Sequence, residues 1–118
     1  MTRTATVKLS ESQIQRAILD YLAARHVLAF RMNTGTMTSE YKGKKRLMRF
    51  GVPGMADILA FPPHQVASDR FCAVMWIEVK SEIGRQSETQ QSFQEQVERE
   101  GHKYIVARSV EDVIEALQ

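Results

Sequence analysis

The chain has 118 residues, which suffices for one domain and leaves little room for a second. Its composition is 43% hydrophobic and 25% charged, with a net charge of +2 and a single cysteine. These values exclude a disulfide-stapled mini-protein, a membrane-spanning chain and a strongly polycationic one. A chain this long also lies well above the ~40 residues below which metal staples are usual, so a bound metal would serve chemistry rather than folding.

Ser10 opens the first predicted helix, and Ser10-x-x-Gln13 has the form of a capping box. Ile14, Ala17, Ile18, Tyr21 and Leu22 follow at helical spacing and form one apolar stripe. Glu11 lies in the first turn, where the helix dipole favours a carboxylate. Residues 27–33 (VLAFRMN) read as a strand, and Leu47–Phe50 as a second short one. Residues 41–50 read YKGKKRLMRF, with Lys42, Lys44, Lys45, Arg46 and Arg49 and no acid, and the part before Leu47 links the two strands. It is expected as a basic loop, open to two readings: a solvated hairpin tip or a polyanion-docking surface. Arg31 and Asn33 lie beside it. Gly51-Val52-Pro53-Gly54 breaks regular structure.

Residues 57–61 (DILAF) form an apolar strand, and residues 71–80 (FCAVMWIEVK) a longer one expected to be buried on both faces. Cys72 lies in that run and reads as a small hydrophobe. Ser87 caps a helix that Gly101 stops, with Phe93 and Val97 as apolar anchors. Residues 104–107 (YIVA) are a strand, and Ser109 caps a last helix bearing Val110, Val113, Ile114 and Leu117. The order is α-β-β-β-β-α-β-α. Strand, helix and strand between 71 and 107 form a crossover, so those two strands should be parallel in a mixed β-sheet flanked by helices. The class is α/β, a single domain over 1–118 with its core at about 10–117.

The chemistry concentrates at the polar end of the 71–80 strand. Side chains alternate along a strand, so Glu78 and Lys80 share a face. Alone, this pair reads equally as an ion pair at the rim of the sheet. Asp57 alters that reading. If the two strands are antiparallel neighbours, Asp57 lies beside Glu78, and two adjacent carboxylates invite a cation. Hard oxygen ligands suit Mg²⁺. His26, His64 and His102 are too widely spaced to suggest a metal set.

The order Asp57, Glu78-x-Lys80 resembles the PD-(D/E)xK nuclease superfamily. Gly51-Val52-Pro53-Gly54-Met55-Ala56-Asp57 resembles the G-x-P-G-x-x-D segment of virus-type replication-repair nuclease (VRR-NUC) domains, as does Glu78-Val79-Lys80-Ser81 their strand motif. Ser87-x-x-Gln90-x-x-Phe93, Gly101 and Tyr104 are similar to the helix and strand that follow, and Glu11, Ile14 and Ile18 to the first helix. The likeness runs from about 11 to 114. One departure is visible: Ala56 stands where the superfamily has the proline of its Pro-Asp pair.

The resemblance implies a restriction-endonuclease-like core. It implies Mg²⁺ or Mn²⁺ held by Asp57, Glu78 and the Val79 carbonyl, with Glu11 joining through water. Lys80 would position or deprotonate the attacking water, and Gln90 would support the site from its helix. DNA would meet Lys42, Lys44, Lys45, Arg46, Arg49, Arg31, Asn33 and Arg85. Ser81 has two readings, a phosphate contact or a turn residue. So small a core has little surface for reading bases. A structure-specific endonuclease is therefore expected, cutting branched DNA such as four-way (Holliday) junctions as a homodimer. Its alternatives are a flap- or end-trimming nuclease and a non-catalytic DNA-binding module. No export signal is visible in residues 1–9, so a cytoplasmic setting is the expectation. The resemblance implies a bacterial host and a phage or prophage origin.

Overall fold

The computed structural model describes residues 8–32, 36–41, 44–49, 52–63 and 73–118; of 36–41 and 44–49 it describes the backbone. The elements are α1 (Glu11–Ala24), β1 (Leu28–Arg31), β2 (Thr36–Tyr41), β3 (Lys44–Arg49), β4 (Ile58–Phe61), β5 (Met75–Val79), α2 (Glu88–Arg99), β6 (Lys103–Ala107) and α3 (Val110–Ala116). The predicted α/β order is kept, with one strand added, β2, where the polar residues 36–41 suggest a loop.

That strand corrects the reading of the basic run. Residues 44–46 are not a loop but extend the strand expected from Leu47. Residues 44–49 form β3, antiparallel to β2, with Thr36 opposite Arg49 and Tyr41 opposite Lys44. Lys44, Lys45, Arg46 and Arg49 thus sit on a strand of a two-stranded sheet. Lys42, Asn33, His64 and Cys72 lie outside the described residues.

The main sheet runs β1-β4-β5-β6. The β1/β4 and β4/β5 pairs are antiparallel, and β5/β6 is parallel, as a helical crossover requires. Alternation divides its side chains between two faces. Ile58, Ala60, Met75, Ile77, Val79 and Ala107 pack with Ile14, Ile18 and Leu22 of α1 and Val113 of α3 in the larger core. On the other face Trp76, Tyr104 and Val106 meet Phe93 and Val97 of α2, with Ala56 beneath. Trp76 and Phe93 meet edge to face at 5.0 Å. Among the described residues, no helix is long and apolar enough to cross a membrane.

Both long helices are delimited by their own sequence. At α1, Ser10 Oγ accepts the Gln13 amide and Gln13 Oε1 accepts the Ser10 amide. At α2, Ser87 and Gln90 repeat the arrangement. Each helix ends with paired bonds back into its last turn, Val27 N to Leu22 O and His26 N to Ala23 O in α1, His102 N to Val97 O and Gly101 N to Glu98 O in α2. The turn residue is left-handed in both, Gly101 at φ 84° and His26 at φ 57°.

Candidate active site

β4 and β5 pair with Ile58 opposite Ile77, so one step further along the ladder Asp57 faces Glu78. The adjacency expected from strand order is therefore present. Asp57 is fixed from two sides. Its main-chain oxygen accepts the Met32 amide at 2.8 Å, and its Oδ2 accepts the Val79 amide at 2.8 Å. The loop leading to it is held by Gly54, whose φ of 81° suits glycine and whose Cα faces the Thr89 carbonyl at the start of α2 so closely that a Cβ would collide with it.

Glu78 is 2% exposed. It lies on the α2 face with Trp76, and α2 supplies its partner. Gln90 donates from Nε2 to Glu78 Oε1 at 2.9 Å. Lys80 Nζ stands 3.7 Å from the same oxygen. Glu78 Oε2 is buried and takes no donor from α2 or the main chain, and the carboxyl pairs with that of Asp57. Burial, and then the neighbouring Asp57 charge, push the Glu78 carboxyl up to about 8 against a partial opposing pull from Lys80. Burial likewise raises Tyr104, whose hydroxyl accepts from Gln86, to about 12, so this phenol stays neutral.

Glu11 reaches the same end of the sheet from the first turn of α1. Its Oε1 accepts the Ser81 amide at a long 3.4 Å, and its charge adds to the upward pressure on Glu78. Ser81 Oγ accepts the Gly84 amide at 3.1 Å, the bond that its turn reading expects. Arg85 is exposed and lines an open cleft of about 750 Å³, whose walls do not include Asp57, Glu78 or Lys80. Arg31 is exposed at the end of β1, one residue before the amide that binds Asp57.

Sequence reading missed Arg108. Its Nη1 donates to the Ser81 and Gly84 carbonyls, both at 2.6 Å, and reaches Glu82 O at 3.4 Å. The Lys80 amide binds Ala107 O immediately before it. One guanidinium thus gathers the loop that follows the Glu78–Lys80 strand. Nothing in the local sequence signals this, because the residues it gathers lie more than twenty positions upstream.

The arrangement offers two adjacent acidic groups, a buried carboxylate oxygen, a lysine and an orienting amide. Among the described residues, no three His, Cys, Asp or Glu side chains gather into a metal cage. An ion here would rely on one or two carboxylates completed by backbone, water or phosphate oxygens, which is the habit of Mg²⁺. In an extended strand the N–H and C=O of one residue project to the same side. The Val79 amide bonded to Asp57 therefore places the Val79 carbonyl on the Asp57 side as well.

This mixed sheet with its carboxylate pair at the β4/β5 end defines a restriction-endonuclease-like nuclease core of the PD-(D/E)xK type. The family model described as the VRR-NUC domain matches residues 9–111, and the chain belongs to that family. It is accordingly a nuclease domain, with DNA as the implied substrate. Comparison with curated proteins and with solved structures gave no significant match.

Proposed function

We propose that this chain is a divalent-metal-dependent DNA endonuclease that hydrolyses phosphodiester bonds in branched DNA. The observation that carries the metal is the Asp57–Glu78 carboxyl pair, neighbours across β4 and β5 that raise the Glu78 carboxyl between them, with Glu78 Oε2 buried. Asp57, Glu78 and the Val79 carbonyl would hold Mg²⁺ or Mn²⁺, with Glu11 contributing through water. When bound, such an ion supplies an activated water and neutralises charge on the phosphate.

The chain's own groups do the positioning. Gln90 and Lys80 both engage Glu78 Oε1 and so fix the carboxyl that neighbours Asp57. Lys80, 12% exposed, presents its ammonium at the mouth of the site, where it steadies charge developing on the phosphate or orients the attacking water. Lys42, Lys44, Lys45, Arg46, Arg49, Arg31, Asn33 and Arg85 would meet the DNA backbone. So small a domain has little surface for reading bases, which favours recognition of DNA shape over sequence. A homodimer would place two cuts symmetrically across a four-way junction. Leu28 (59% exposed), Phe30 (48%) and Phe61 (39%), on the stretch of the α2 face at the β1 edge, offer it an apolar contact.

The test is cleavage of labelled four-way junction, flap, single-stranded and linear duplex DNA with Mg²⁺, Mn²⁺ or EDTA, alongside Asp57→Asn and Lys80→Ala. Symmetric paired nicks on the junction, lost in EDTA and in both variants, are expected. Normal cutting by both variants, or none by the wild type with either metal, sinks the catalytic reading. Cutting confined to flaps or ends, or a monomeric mass at working concentration, overturns the junction-resolving version.

A further inference from the structure

A pocket of about 490 Å³ lies on the other side of the sheet edge, between α1 and the end of β1. Ser12, Gln13, Gln15, Arg16, Leu19 and Arg31 line it, and no carboxylate is among them. Arg16 and Arg31 are exposed, and neither is engaged in an ion pair or hydrogen bond with another described residue. Gln15 Nε2 is buried with no acceptor. Gln13 spends its Oε1 on the Ser10 amide, which leaves its Nε2 as a donor. Two guanidiniums and two amide donors without an acid make a surface that complements oxyanions.

Its place in the fold narrows the oxyanion. Arg31 is the register partner of Ile58, and the next residue binds Asp57. Ser12 follows Glu11, which reaches the Ser81 amide after Lys80. Both walls therefore end at the mouth of the candidate active site. A polymer with regularly spaced phosphates can occupy this seat and the candidate active site at once, which a lone anion cannot.

We propose that this pocket seats a backbone phosphate of the DNA strand that flanks the cleaved bond, gripped by Arg16 and Arg31 with the Gln13 and Gln15 amides. The seat reads no base, and it positions the strand against Asp57 and Glu78. It rests on the nuclease reading given above.

Binding of fluorescent duplex DNA by anisotropy, in EDTA and over a range of salt, tests it. The Asp57→Asn chain is the background, so affinity is read apart from cleavage. Arg16→Gln with Arg31→Gln is expected to weaken binding about tenfold or more, since charge-assisted bonds are lost. The slope of log affinity against log salt should shrink by about 0.9 for each phosphate contact removed. Gln15→Leu, which deletes the buried donor without a charge, should weaken binding about threefold at an unchanged Tm. Arg25→Gln, at the far end of α1, should change neither affinity nor slope. An unchanged slope in the double arginine variant, or an equal loss in Arg25→Gln, overturns the seat and leaves the nuclease reading standing. Cleavage persisting in Asp57→Asn would instead strike at the catalytic reading alone.

Discussion

Gln90 holds Glu78 with an amide whose orientation is set elsewhere. Its Oε1 accepts the Ser87 amide at 2.8 Å as half of a capping box, which leaves Nε2 to donate to Glu78 Oε1 at 2.9 Å. A helix-starting motif and a site-orienting contact are the same side chain. Both functions fail together if it is lost. Gln90→Ala should lower stability by about 1–2 kcal/mol, the sum expected of a weakened cap and a deleted bond to a buried acid. Gln90→Glu can still cap the Ser87 amide but sets a third carboxylate against Glu78. It should therefore keep the helix start yet still lose about 1 kcal/mol or more for the missing Glu78 bond, while cutting at least about tenfold more slowly. Thermal unfolding and initial cleavage rates, measured on both, separate the two roles.

The Glu78 carboxyl dictates how stability depends on pH. In the folded chain it titrates at about 8, against an ordinary value of 4.5. Between these values the folded state keeps a proton that the unfolded state has released, so stability falls as pH rises through the window and levels off above it. Glu78→Gln should remove most of this decline. Mg²⁺ binds the ionised form, so it should raise Tm most near the upper end of the window, and EDTA should reverse the gain. A wild-type Tm indifferent to pH between 5 and 8 in EDTA, on the order of these bounds, contradicts the assignment.

Gly54→Ala should cost about 2 kcal/mol or more, because the new Cβ meets both an unfavourable φ and the Thr89 carbonyl. The collision pushes the loop off α2 and shifts Asp57, so cleavage should fall further than stability alone explains. Denaturant unfolding beside a cleavage assay at a temperature where the variant remains folded shows whether it does. Gly101→Ala is the comparison: its φ of 84° carries the same backbone strain, but nothing lies within 4 Å of the added carbon.

Arg108 is expected to matter through the loop it gathers. Arg108→Met should free the Ser81–Gly84 turn, with a stability loss of no more than about 2 kcal/mol for bonds made at an exposed position. Hydrogen exchange at the Ser81 and Gly84 amides should quicken, and kcat should fall about tenfold with KM little changed. Arg108→Lys keeps the charge but loses the fork, so it should recover only part of kcat. Equal losses in kcat and in global stability would reduce Arg108 to a scaffold residue.

Much of this was legible because it is periodic or local. The stripe Ile14–Ile18–Leu22, the Ser10 and Ser87 caps and the Gly101 stop all act within a few residues of themselves, and each is where spacing placed it. The Asp57–Glu78 adjacency was legible for a different reason: one antiparallel pairing leaves little choice of neighbour. The β2 strand was not. Residues 36–41 (TMTSEY) are polar and match no buried face, and what makes them a strand is pairing with β3, a relation that composition does not carry. Arg108 and the Glu11–Ser81 contact depend on packing between distant segments. The motif residues of Glu78-x-Lys80 were visible, but not the burial of Oε2, which depends on how α2 sits over the strand.

Asp57 extends the β4 ladder one step beyond its last backbone pair, taking Met32 on one side and Val79 on the other. Strand register is discrete, and a slip of one residue turns every side chain to the opposite face. The stretch from Gly54 to Ile58 therefore has a fixed length. A single insertion or deletion there would carry the carboxylate to the face packed by α1 and α3, even with every motif residue still present in order. For this site, the number of residues between the glycine and the strand constrains the sequence as tightly as their identity does.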